Sequence, residues 1–333
     1  MKIKIWLCLG IGLFCAKQDL AQLGNVYYFK SYGEIFNVEV KTKDSADFVR
    51  VVTEPDSGTT LYNISEYYKN GKRRLIGKTS TVAGTMLQGY CINFYPNGKK
   101  QQVANYVDGQ MHGDVFTYYP NGAIYVVKEY TPGILVPQYN LLKSDSIIKA
   151  CYDSTGKALV TDGSGYYIGY TKDFKSIFEE GNIKSGLKDG NWKGLGEVDS
   201  SKITFIESYQ NGKLVVGQAT DLSGKIYSYS ERETPANYDG GMEKFYNFLA
   251  KNIHYPKAAK EAETQGKVML QFNIDKDGSL GNINVLQSPG NGLAEESVRV
   301  LKMTPKWIPG QKFGQIAKTL FIIPVNFTFS AIK

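Results

Sequence analysis

A short phrase recurs through the middle of this chain and limits what the chain can become. Tyr67-Tyr68-Lys69-Asn70-Gly71-Lys72 returns as Phe94-Tyr95-Pro96-Asn97-Gly98-Lys99, as Tyr118-Tyr119-Pro120-Asn121-Gly122-Ala123, and later as Ser208-Tyr209-Gln210-Asn211-Gly212-Lys213. The first three copies stand 27 and 24 residues apart, a period that marks repeat architecture. Asn-Gly tolerates positive φ at both positions, as a type I′ turn requires, and its aromatic and β-branched flanks suit strands. Each phrase is therefore expected to be a β-hairpin tip. A succession of them predicts an elongated, single-layered antiparallel sheet whose tyrosines form a ladder between neighbouring units.

Between the tips stand Asp108-Gly109-Gln110-Met111-His112-Gly113-Asp114 and Gly186-Leu187-Lys188-Asp189-Gly190-Asn191-Trp192-Lys193. Together with the tips they resemble MORN-type repeats of the bacterial variety, whose units are successive antiparallel hairpins. Residues 134–180 carry only a degraded copy. The short extended runs Tyr27 to Phe29, Ile35 to Val40 and Phe48 to Thr53 are read as the first strands, or a cap, of the same sheet. Such a sheet is open to two readings, a rigid spacer or a surface that binds another protein or an envelope component.

The N-terminus has Lys2 and Lys4, twelve apolar residues from Ile5 to Ala16, then Lys17, Gln18 and Asp19 before Leu20-Ala21-Gln22. This is the tripartite pattern of a secretory signal, expected to occupy residues 1–21, and the apolar run is short of the ~20 residues that span a bilayer. Its removal takes away three lysines and one aspartate and lowers the net charge from +7 to +5. The remaining charges are dispersed rather than gathered on one face, so nucleic acid is not expected as a partner. Cys91 and Cys151 remain after cleavage. In an oxidising compartment they could pair, or each could serve as a small buried hydrophobe.

The last hundred residues read differently. After Gly240-Gly241, Met242, Phe245 and Leu249 fall at helical spacing, and the helix must end before Tyr255-Pro256. A second short helix is expected over Lys257 to Glu263. Val268, Leu270, Phe272 and Ile274 alternate with polar residues, a half-buried strand that Asp277-Gly278 turns back into a strand holding Ile283 and Val285. A calcium loop is excluded at Asp275 to Gly278, because its glycine is fourth rather than sixth and Leu286 stands where the bidentate glutamate belongs. Asn291 is expected to cap a helix with Glu295 and Glu296 in its first turns and Ala294, Val298 and Leu301 on one face. The longest strand is expected from Gln315 to Phe329, with Pro324 marking it as an edge strand.

Tyr255-Pro256, Gly266-Lys267-Val268, Asp277-Gly278, Pro305-Lys306-Trp307-Ile308-Pro309-Gly310 and Ile323-Pro324-Val325-Asn326-Phe327, in that order, resemble the C-terminal domain of TonB, the energy transducer of bacterial outer-membrane transport. The resemblance covers residues 239 to 329 and makes Tyr255, Pro256, Gly266, Gly278, Trp307, Pro309 and Gly310 its structural signature. It implies a three-stranded antiparallel sheet backed by helices, which binds a short extended receptor peptide by adding it as a strand. Carried over to this chain, the partner-binding element is the strand holding Ile316, Lys318, Leu320, Ile322 and Pro324.

The expected organisation is thus a mainly β region followed by an α+β one: signal peptide 1–21, hairpin repeats 22–235 and a TonB-like domain 236–333. The expected function is an exported periplasmic protein that binds an outer-membrane receptor or another cell-envelope protein by strand addition, in the setting of TonB-dependent transport. The alternative is an envelope scaffold whose repeat sheet is the binding surface. Catalysis is not expected: the only histidines are His112 and His254, and no nucleophile, phosphate-loop or metalloprotease motif occurs. Neither a cofactor, a metal nor a small-molecule substrate is expected.

Overall fold

The computed structural model describes residues 24–32, 36–131, 133–136, 141–143 and 145–329, so the expected signal segment lies outside the described residues. Most of the chain forms one 17-stranded antiparallel sheet. Its first strands are Phe36–Val40, Asn25–Tyr32 and Phe48–Thr53, in that spatial order. From Phe48–Thr53 each strand pairs with the next in sequence. After Ile124–Tyr130 the described residues Ile134–Val136 and Leu141–Lys143 pair with each other outside the sheet, and Ser146–Tyr152 continues it beside Ile124–Tyr130 before the series runs on to Ile226–Tyr229. The short early runs are strands of the same sheet, as their composition predicts.

The tips differ from the expected type I′ turn. At Asn70-Gly71 the N–H of Gly71 donates to the Tyr68 carbonyl and that of Tyr68 to the Lys72 carbonyl, both at 2.9 Å, and the same pair of bonds closes the tips at Gly98 and Gly122. These are three-residue loops in which the glycine alone is left-handed, with φ of 78°, 91° and 95°. The asparagine serves another purpose. Its Oδ1 accepts the N–H two residues on, and its Nδ2 donates to the next tip: Asn70 to Pro96, Asn97 to Pro120 and Asn121 to Ser154. The tyrosines form a parallel ladder, with the hydroxyls of Tyr68, Tyr95 and Tyr119 donating to the carbonyls of Phe94, Tyr118 and Tyr152. Of the four Asn-Gly tips, only Asn211-Gly212 is a two-residue turn with both residues at positive φ, and counting antiparallel strands puts it on the opposite long edge, with the similar two-residue turns at Asp108-Gly109, Asp162-Gly163 and Ser185-Gly186.

The sheet rolls where strands shorten. Ala158–Thr161 is four residues long, and beyond it the Tyr125 hydroxyl reaches the Ile168 carbonyl at 2.8 Å and lies 2.9 Å from the Tyr167 hydroxyl, across strands that are not neighbours. Tyr119, Tyr125, Tyr167 and Trp192 form the largest of several small cores along the sheet. Cys151 sits in that core and Cys91 in another with Ala104, Tyr106 and Val115, so the two are separate, buried and free. Burial pushes the Cys151 thiol up to about 11.

The C-terminal module has a single core. Helix α1 (Gly241–Asn252), helix α2 (Lys257–Glu261) and helix α3 (Leu293–Lys302) cover one face of a three-stranded sheet in the order Leu280–Gln287, Gly266–Ile274, Thr319–Phe327. Met242, Phe245 and Leu249 of α1 are buried with Val268, Leu270, Phe272 and Ile274, the set that helical and alternating spacing predict. Asn291 does not cap α3: the cap is Gly292, at φ 84°, and the Asn291 amide donates to Thr264 instead. A glycine reaches the left-handed region without cost, which leaves the asparagine side chain free to brace a loop.

Candidate functional site

Thr319–Phe327 pairs along its whole length with Gly266–Ile274 and, among the described residues, has no strand on its other side, so it is an edge. Val325 and Phe327 turn into the core, while Leu320 and Asn326 are exposed and Ile322 and Pro324 half-buried on the other face. Pro324, opposite Met269, has no N–H to give to a ladder, which suits a residue whose nitrogen faces outward. By alternation along the strand, Leu320, Ile322 and Asn326 share that parity and direct their backbone N–H and C=O groups to the open side. The strand interior holds no lysine, and Pro324 is the residue there that blunts the edge by withholding a donor.

The strand does not run from Gln315 to Phe329 as its alternation predicts. It breaks at Lys318, and Gln315–Ala317 folds back on Gly310–Lys312, which in turn pairs with Glu233–Thr234 to make a second small sheet. Ile316 therefore stands opposite Gln311, outside the edge, and the Lys318 N–H donates to Asp199 Oδ1 of the repeat sheet at 2.9 Å. Lys318 Nζ contacts Asp275 at 2.8 Å. Of the five residues the resemblance assigns to partner binding, Leu320, Ile322 and Pro324 share the open edge, and Ile316 and Lys318 belong to a different structure. The cause lies at the turn, where Phe313 and Gly314 have φ of 51° and 73° and the Phe313 ring enters the core of the repeats with Phe205, Tyr229 and Val198. Left-handed backbone is unfavourable for a bulky residue, and burial of the ring offsets it.

The signature residues hold this edge in place. Trp307 packs against Tyr238, Phe245, Phe272 and Phe321, joining α1, the central strand and the edge strand. Gly278 lies under it: a Cβ there would meet the Trp307 carbonyl oxygen at 2.0 Å. Lys306 braces the same turn, and its hydrogen bond, with that of Ser279, holds the Asp277 carboxyl well below the usual carboxylate range. Tyr255 donates to the Thr264 carbonyl and packs its ring on Phe327 and Phe329, fastening the far end of the edge. Pro256 caps α2, and a Cβ on Gly266, at φ 138°, would meet Pro289 at 2.9 Å. Pro309 leads from the Asn237–Ile308 bridge to Gly310, where a Cβ would collide with Thr319 Oγ1.

A charged cluster beneath the last repeats was not legible beforehand. The Arg232 guanidinium contacts both carboxylate oxygens of the fully buried Glu207 and lies 2.8 Å from Glu179, which also takes Lys188 at 2.7 Å. Burial alone would lower Arg232, but hydrogen bonding to Glu207 and the charges of Glu179 and Glu207 raise it well above its ordinary value. Glu179 behaves in the mirrored way: burial raises it, and the charges of Lys188 and Arg232 outweigh that and hold it low. Each partner lies on a different strand or beyond the sheet, so no local spacing announces the set. His112 and His254 are exposed, and His254 offers only its backbone N–H and a ring nitrogen to Glu296 and Arg299 on α3. Among the described residues no group of side chains could hold a metal ion, and no helix is long and apolar enough to cross a membrane.

The family model described as Gram-negative bacterial TonB protein C-terminal matches residues 251–329, and a MORN repeat variant matches residues 87–108 and 111–131. No curated protein and no solved structure matches the chain. The chain thus carries a TonB-type C-terminal domain preceded by MORN-type repeats, both from non-enzymatic families. The TonB-type domain supports a general role in the cell envelope, and its family is periplasmic in Gram-negative bacteria.

Proposed function

We propose that this chain, with its TonB-type domain set behind a hairpin-repeat sheet, is an exported periplasmic protein that binds an outer-membrane receptor or another envelope protein by strand addition at Thr319–Phe327. The supporting observation is the outer side of that strand, which no strand among the described residues pairs with and which Pro324 shapes. An added strand gains its affinity from main-chain hydrogen bonds to Leu320, Ile322 and Asn326, so the partner needs an extended, proline-poor segment more than a particular sequence. The setting follows the family: TonB-dependent transport, in which the receptor's periplasmic segment is the strand.

A second reading draws on the repeats. Leu195, Ile206, Val216 and Ile226 are exposed on one region of the sheet, beside a groove of about 460 Å³ lined by Tyr166, Lys193 and Ile206. That surface suits a protein partner that never touches the edge strand. A photo-crosslinking side chain placed at Leu320 or at Ile206 of the full chain in cells separates the two. Strand addition requires crosslinks from position 320 to the periplasmic segment of an outer-membrane protein, lost on Ile322→Pro. Crosslinks from position 206 alone would discard it in favour of the repeat surface.

A further inference from the structure

The passage from the repeats to the C-terminal module has the composition of a linker, polar from Glu231 to Asp239 with Pro235 within it. In the fold it is fastened on both sides. Glu233 and Thr234 pair with Lys312 and Gln311, and the Arg232 carbonyl accepts the Phe313 N–H at 2.7 Å. The Arg232 side chain reaches the other way, to Glu207 and Glu179 of the repeats. Phe313, 1% exposed, stacks on Phe205 at 5.2 Å and meets Tyr229 edge-on at 5.7 Å. Room for the ring is made by Gly196, where a Cβ would come within 2.7 Å of it. Asp199, at the tip of a repeat hairpin, takes the Lys318 N–H on one oxygen and Lys276 on the other at 2.8 Å.

We infer that the hairpin Gly310–Ala317 is a clasp that locks the C-terminal module to the last repeats, so that the two melt as one unit and the edge strand is carried at a fixed attitude to the sheet. Three independent attachments meet at this hairpin and the residue after it: a strand pairing, a buried aromatic plug and the Lys318 N–H held by Asp199. A load on Thr319–Phe327 passes into the sheet at Lys318 and Phe313, directly before the edge begins. The clasp also sets where the partner edge starts, because Ile316 is paired with Gln311 and the Lys318 N–H is taken. The inference stands whether or not the edge receives a strand.

The test compares the full chain with Phe313→Ala, which removes the plug, and with Gly196→Val, which blocks its socket while leaving every C-terminal side chain unchanged. In calorimetry of the unaltered chain the module and the last repeats are expected to share one transition, which splits into two in either variant. Hydrogen exchange at Gln315–Lys318 is expected to rise about tenfold or more while Val268–Phe272 keep their protection. If Phe313→Ala unfolds the module outright, Gly196→Val decides. Separate melting of the module and the last repeats in the unaltered chain, or exchange at Gln315–Lys318 unmoved in Gly196→Val, would overturn the clasp.

Discussion

A buried ring in the repeat sheet has different company from one in the C-terminal module. Tyr95 lies in its own hairpin and reaches the next through one hydroxyl, 2.6 Å from the Tyr118 carbonyl. Trp307 touches rings on a helix, two strands and the chain that enters the module. The sheet has several small cores spread along it, whereas the module has one that includes residues from Ala236 to Phe327. Damage to the sheet should therefore stay near its site, as nearest-neighbour repeats allow, while damage to the module should remove it whole.

The strongest test of that contrast is Trp307→Ala. Loss of a large buried aromatic costs about 3–5 kcal/mol, a large share of a small module's stability. Denaturation followed by hydrogen exchange should show the three-stranded sheet exposed together while the strands from Tyr62 to Tyr130 keep their protection. Glu66→Ala comes next. Glu66 is buried between Arg50, at 2.8 Å, and Arg74, whose guanidinium groups lie over Phe29 and Phe48. Removing one member of a buried ion pair costs about 3 kcal/mol, and partial exposure of both arginines reduces this. The exchange it accelerates should be confined to the first strands, and acceleration reaching the module would break the comparison.

Local signals made parts of this fold readable. The alternation Val268, Leu270, Phe272, Ile274 marks a buried strand face because a strand's side chains depend only on its own period, and the Asn-Gly tips mark turns because glycine is needed there. The break at Lys318 was hidden for the opposite reason. Ala317, Thr319 and Phe321 continue one alternation straight through it, and what interrupts it is the Phe313-Gly314 turn seated in the repeats, with the Lys318 N–H held by Asp199, 119 residues earlier in the chain. Phe313 stands two residues before the expected strand, and nothing local to it announces the socket that the repeats supply. Of the residues that the resemblance puts forward, Leu320, Ile322 and Pro324 lie on the open edge strand, whereas Ile316 and Lys318 are placed elsewhere by contacts that no local period encodes. The tips erred more subtly, because Asn70 was assigned to backbone conformation when its side chain was bonding the neighbouring unit.

An acid titration tests the junction where the two regions meet. Glu179 is held below its ordinary value of 4.5, against the effect of burial, by Lys188 and Arg232. A depressed carboxyl contributes stability that is present above the unfolded value and lost as pH falls through the folded one. Stability near the junction should therefore decline below about pH 4.5, and Glu179→Gln should be weaker at neutral pH with a shallower decline in acid. Intrinsic fluorescence, with two of the three tryptophans at Trp192 and Trp307, can follow unfolding across that range. A variant whose acid profile runs parallel to that of the unaltered chain would mean that Glu179 is not the group being titrated.

The smallest expected effect bears most directly on how repeats cooperate. Tyr95→Phe keeps the ring and deletes only the hydroxyl that joins one tip to the next, leaving the Tyr118 carbonyl without that donor. A single hydrogen bond of this kind contributes about 1 kcal/mol. The tip retains a second connection, Asn97 to the Pro120 carbonyl at 3.0 Å, and Asn97→Ala removes it together with the bond from the Lys99 N–H, so it should cost somewhat more. The double variant tells whether the tips act singly or as a ladder. Independent bonds would give costs that add, while a ladder would make the pair cost more than the sum, because either bond alone can hold the tips in register. A coupling energy near zero by denaturant unfolding would reduce the ladder to a row of separate contacts, and the repeats would then owe their order to strand pairing alone.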